Sequence, residues 1–133
     1  MSLDVFLTAF RGGEEVPVDR DALEMSLARN GLTGARTEAR TTDGGHAQLL
    51  VDEDGASFLV DRLTPELSRL VYEVARESHL VVLPADGSPH VFLVEPALAA
   101  GLPEDLEPNL VATSAALYER LRASAELRGA HPA

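Results

Sequence analysis

The first half of the chain alternates short apolar runs with turn residues. Val5 to Phe10 is a β-rich run with apolar residues on both faces, the pattern of a strand covered on both sides. It ends at a flexible turn, Arg11-Gly12-Gly13, and Val16-Pro17-Val18 is extended because proline biases its predecessor away from helix. Leu23 and Leu27, four apart, predict a first helix. Asp19 or Asp21 caps it, Asp21 and Glu24 match a capping-box spacing, and Asn30-Gly31 stops it. Arg36 to Thr42 reads as a polar edge strand and Asp43-Gly44-Gly45 as a turn. Ala47 to Asp52 and Ala56 to Asp61 then flank Asp54-Gly55, a preferred hairpin dipeptide. With that dipeptide at the turn centre, Val51 faces Phe58, Leu49 faces Val60 and Leu50 faces Leu59.

The second helix is the best-defined element. Thr64 is its N-cap, Pro65 suits the first helical position, and Glu66 complements the N-terminal dipole. Leu67, Leu70, Val71, Val74 and Ala75 form one stripe, which ends near Ser78 or His79. Leu80 to Leu83 and His90 to Val94 make a second hairpin around Asp86-Gly87, with His90 expected on the face of Phe92 and Val81. Pro84 and Pro89 should stop its ladder short of the turn. Pro96 to Ala100 is read as a helical turn ended by Gly101, and Leu102 to Leu106 as another. Asn109 to Thr113 is read as a short strand before a helix capped by Ser114, with one continuous helix from about Leu110 as the alternative.

Helices interspersed with hairpins predict an α+β fold. One mixed or mostly antiparallel sheet of about five to seven strands, with two hairpins, would be packed by about three helices. Residues 1–128 read as a single domain and 129–133 as a loose C-terminal tail; no repeat or linker divides the chain.

Composition narrows the chemistry. Cys, Trp, Lys and Ile are absent and all 11 basic residues are Arg, which fits a GC-rich bacterial genome better than a need for guanidinium groups. Without Cys there is no disulfide, thiolate catalysis or thiolate metal site. The opening residues lack a basic leader and no apolar run is long enough to cross a bilayer, so a cytoplasmic protein with no membrane partner is expected. The net charge of −11 opposes nucleic-acid binding, because phosphate would be repelled. From Glu77 to Glu107 there is no Arg, while Glu95, Glu104, Asp105 and Glu107 are among the acids. That stretch is either a solvated acidic surface or a docking face for a basic protein.

Catalytic motifs are missing. Gly12-Gly13-Glu14-Glu15 shares four residues with the signature of cyclic-dinucleotide synthases, but Val16-Pro17 follows where those carry an aromatic residue. No Walker or dinucleotide loop is present. Asp52-Glu53-Asp54-Gly55 puts Leu50 where an EF-hand needs its first carboxylate. His46, His79, His90 and His131 have no metal-ligand spacing, and no serine lies in a nucleophile elbow. No catalytic residue, metal or cofactor is therefore assigned.

The opening Met1 to Glu14, Leu63-Thr64-Pro65-Glu66-Leu67 and Pro96-Ala97-Leu98 resemble a group of small acidic α+β proteins of GC-rich bacteria, which brings no catalytic residue to carry over. In size, acidity and layout the chain is also similar to bacterial immunity proteins, which neutralise toxins. The first expectation is a non-enzymatic protein-binding module, immunity- or adaptor-like, docking a basic partner on Glu95, Glu104, Asp105 and Glu107. The alternative is a small-molecule sensor or enzyme using the loop after the first strand, with Arg11, Gly12, Gly13 and Glu14 as ligand-binding residues and Arg11 as an anion clamp. A homo-oligomeric structural role is the third.

Overall fold

Leu3, Val5 and Leu7 are buried while Asp4 and Phe6 between them are not, so the central strand has one dry face and one open face. The computed structural model describes residues 3–32 and 36–130. In chain order the strands are β1 (Leu3–Arg11), β2 (Glu14–Val16), β3 (Arg36–Arg40), β4 (His46–Asp52), β5 (Gly55–Arg62), β6 (Val81–Pro84), β7 (His90–Leu93) and β8 (Glu107–Leu110). The helices are α1 (Arg20–Arg29), α2 (Pro65–Ser78) and α3 (Ser114–Ala130), and a 3-10 segment spans Pro96–Gly101. The fold is α+β, with one open mixed sheet ordered β3-β4-β5-β1-β6-β7-β8 and β2 paired to β1. Among the described residues only the β7–β8 pair is parallel.

The three α-helices cover one face, with α2 between α1 and α3. Phe58, Leu49, Val5 and Val82 meet Leu67, Val71, Val74 and Leu121 in a single core. On the other face the 3-10 segment crosses from β7 to β8. Leu98, Leu102 and Leu106 there close over Val81, Val91 and Leu93. That cover reaches the C-terminal end of β1, where Phe10 packs against it, while the N-terminal part of β1, β5 and β4 lie beyond it.

The sheet has eight strands, more than the five to seven expected, and the 3-10 segment is a fourth helix. One added strand is β2. Gly12 and Gly13 both take positive φ, +61° and +81°, which closes a two-residue hairpin pairing Arg11 with Glu14. The central hairpin is corrected too. Its turn centre is Glu53-Asp54, so Val51 pairs Ala56, Leu49 pairs Phe58 and Leu50 pairs Ser57, two residues from the expected register. A two-residue shift keeps every side chain on its own face, so the apolar pattern could not detect it. Gly55 is needed as the first strand residue because a Cβ there would strike the Leu7 carbonyl of β1.

Val82, not Val81, pairs with Phe92, so Val81 lies on the opposite face from His90 and Phe92. Leu102 to Leu106 holds a turn, with no helix. α3 continues to Ala130, past the expected start of the tail; 131–133, with His131, lie outside the described residues.

Candidate functional site

The uncovered half of the sheet presents three rows set by strand register. Leu50, Ser57, Phe6 and Leu83 stand side by side across β4, β5, β1 and β6. One row away are Glu38, Gln48, Leu59 and Asp4, and on the other side Asp52, Gly55 and Thr8. Phe6 is 37% exposed, and Leu50, Leu59 and Leu83 are half-buried. The centre is apolar because strand alternation places Phe6 and Leu59 opposite the buried Val5 and Phe58.

Polar groups border this centre at both ends. On the β3 side, His46 Nδ1 lies 2.8 Å from Asp61 Oδ2, and its Nε2 lies 3.7 Å from Glu38 Oε2, too far for a hydrogen bond. Arg40 donates to the same Glu38 oxygen through Nε at 3.1 Å and Nη2 at 2.9 Å. That guanidinium holds the Glu38 carboxyl below its usual range. At the opposite end is a cavity of about 320 Å³ lined by Phe6, Thr8, Glu15, Asp52, Asp54 and Leu83, among others. Gly55 lines it as well. The buried Thr8 hydroxyl donates to Glu15 Oε1 at 3.2 Å, fixing that carboxylate at the wall.

The expected partner-binding residues do not form one surface. Glu107 pairs with His90 at the start of β7, whereas Glu95 follows its end. The four residues of β7 lie between them, roughly 13 Å of strand. Glu95 accepts instead from His79 Nδ1 at 2.8 Å, beyond the C-terminus of α2. Glu104 and Asp105 are exposed in the turn before β8. The expected ligand loop reaches that neighbourhood: Gly13 N–H donates to the Gly101 carbonyl at 3.1 Å, just ahead of Pro103. Arg11, Gly12, Gly13 and Glu14 are exposed at the hairpin tip, and none lines the cavities described here; only Glu15 does.

Asp86, Ser88 and His90 share a cavity of about 150 Å³ with Arg120 and Ser124. Ser88 Oγ donates to Asp86 at 2.6 Å, while the His90 ring faces Asn109 and Glu107. Burial acts to raise the Asp86 pKa, but the Ser88 hydroxyl and N–H and the Ser124 hydroxyl outweigh it and lower it. A larger cavity of about 650 Å³ lies between α1, β3 and α2, lined by Glu38, Glu66, Arg69 and Glu73 among others. Among the described residues no group of acids and histidines is arranged to hold a metal ion. No described helix is long and apolar enough to cross a membrane.

Sequence reading missed Phe6, Leu59 and the Thr8–Glu15 cavity. A signal for the first face was present: Asp4 and Thr8 alternate with Leu3, Val5 and Leu7, and Phe6 falls on their side. What had no signal was how far the 3-10 segment reaches. The chain matches no known family, no curated protein and no solved structure.

Proposed function

We propose that the protein is a non-enzymatic protein-binding module, immunity- or adaptor-like, that meets a basic partner. The carrying observation is where the charge sits. The three α-helices hold seven acids and seven arginines, so the whole net charge of −11 belongs to the strands and their connections. Those parts carry fifteen acids against four arginines. Such segregation steers encounter with a positively charged protein surface and opposes nucleic acid and anionic lipid. The small-molecule sensor or enzyme built on 11–15 has less support, since Arg11 and its neighbours are exposed and line no described cavity.

The test is affinity capture by the full chain, followed by titration calorimetry with the purified captured protein. The expected result is a stoichiometric complex with a basic protein. Its Kd should rise at least tenfold as salt increases from about 0.05 to 0.3 M, because screening shortens the reach of the field. Binding unaffected by salt, or capture of acidic proteins alone, overturns the reading.

A further inference from the structure

The open half of the sheet resembles the exposed face of an interface: an apolar centre, a polar rim and a cavity at one side. Resting on the binding-module reading, we infer that this face, between β4 and β6, is the docking surface, and that its occupant is a basic protein segment. Apolar side chains of that segment would lie over Phe6, Leu59 and Leu50, and one of its guanidinium or ammonium groups would enter the cavity beside Glu15, Asp52 and Asp54.

Three observations converge. Among the described residues Phe6 is the only aromatic side chain of the exposed large hydrophobics, and it stands at the centre of the row and in the cavity wall at once. A basic side chain needs both surfaces that meet there, an apolar wall for its stem and carboxylates for its head. The rim then selects the occupant. Asp4, Glu15, Asp52 and Asp61 border the face, while Glu38 is engaged by Arg40 and Arg36 pairs with Leu50 at the β3 edge. A second copy of this chain would bring carboxylates against carboxylates, whereas a basic segment pairs them. The 3-10 segment and the turn after it cover the adjoining β6–β7 strip with Leu98 and Leu102 and reach Phe10 at the end of β1, which leaves a bounded channel over the N-terminal part of β1 and β5 for an extended or helical segment.

The experiment is an amide NMR titration of the full chain with a blocked hexapeptide of alternating arginine and leucine, beside one of glutamate and leucine. Shifts should centre on Phe6, Thr8, Ser57 and Leu83 with the arginine peptide alone. The Glu15→Gln, Asp52→Asn double variant, and separately Phe6→Ser, should weaken binding at least tenfold with unchanged helix resonances. Shifts confined to Glu104–Glu107 or to the helices would overturn this surface and leave a basic partner standing. Equal binding of both peptides, or of neither, would overturn the surface and the charge-based reading together. Concentration-dependent light scattering that Phe6→Ser abolishes would make a second copy the occupant and overturn the proposal.

Discussion

At the residue scale the most constrained acid is Asp43, in the turn before β4. Its Oδ2 accepts from the Glu66 N–H at 3.1 Å, while Oδ1 accepts from the Thr41 hydroxyl and the Gly45 N–H. Glu66 returns the contact, accepting from Asp43 N–H and the Thr42 hydroxyl. The β3–β4 turn and the first turn of α2 thus cap each other across a sequence separation of 23. Burial acts to raise the Asp43 pKa, but hydrogen bonds from Thr41, Thr64, Glu66 and Gly45 pull it down to about 2 from 3.8. Because the folded value is the lower one, Asp43 contributes stability that is present above about pH 4 and is lost as pH falls through about 2. Carboxyl NMR should place its midpoint near 2, and Asp43→Ala should lower Tm at pH 7 by more than at pH 2. A midpoint near 3.8 would mean that the turn and helix do not cap each other in solution. Thr64 and Pro65 were legible as the start of α2; Asp43 was legible only as a turn residue, since its partner is fixed by tertiary packing.

At the element scale α1 shows how little of a short helix can be apolar. It buries Leu23 and Leu27, and its remaining buried side chain is Ser26. The Ser26 hydroxyl donates to Glu77 Oε1 on α2 at 2.7 Å. Asn30 Nδ2 reaches the same oxygen at 3.3 Å and Arg29 Nη2 reaches Oε2 at 3.1 Å. One carboxylate therefore holds the C-terminal half of α1 against α2. Glu77→Ala strands the fully buried Ser26 hydroxyl, a cost of about 1–3 kcal/mol. Chemical denaturation should show that loss, and hydrogen exchange should place it in α1 before α2. The double variant with Ser26→Ala should recover part of it; no recovery would assign the loss to α2 itself. The capping signals Asp19 and Asn30-Gly31 made α1 readable, but its docking was not, because a serine and a glutamate 51 positions apart carry no periodic signal. The central hairpin has the same character. Its faces were readable from Leu49, Val51, Phe58 and Val60, whereas its register depends on the Leu7 carbonyl against Gly55, a contact with a third strand.

At the scale of the whole molecule the neutrality of the helices changes what salt should do. Ion pairs such as Arg29–Glu77 and Arg122–Glu119 lie on the helical layer, and they are few and partly or fully solvated. Against them stands a net charge of −11 concentrated on the sheet and its connections, where unpaired carboxylates outnumber cations. Added salt screens both, but the repulsion is summed over many exposed pairs at long range, while each surface ion pair contributes only about 0–1 kcal/mol. The Debye length falls from about 30 Å at 0.01 M to about 3 Å at 1 M, which spans the separations across one sheet. The contacts that hold Asp43 and Asp86 come from hydroxyl and amide donors a few ångströms away, beyond the reach of such screening. Repulsion should therefore be the term that salt removes. Thermal unfolding at pH 7 should shift upward by several degrees between about 0.01 and 0.5 M sodium chloride. The gain should shrink in a variant carrying Glu15→Gln, Asp52→Asn and Asp54→Asn, which dilutes the acids around the cavity without touching the helices. A Tm that falls with salt would show instead that the ion pairs of the helical layer dominate, and that the acidity of the sheet is dispersed enough to cost the fold nothing.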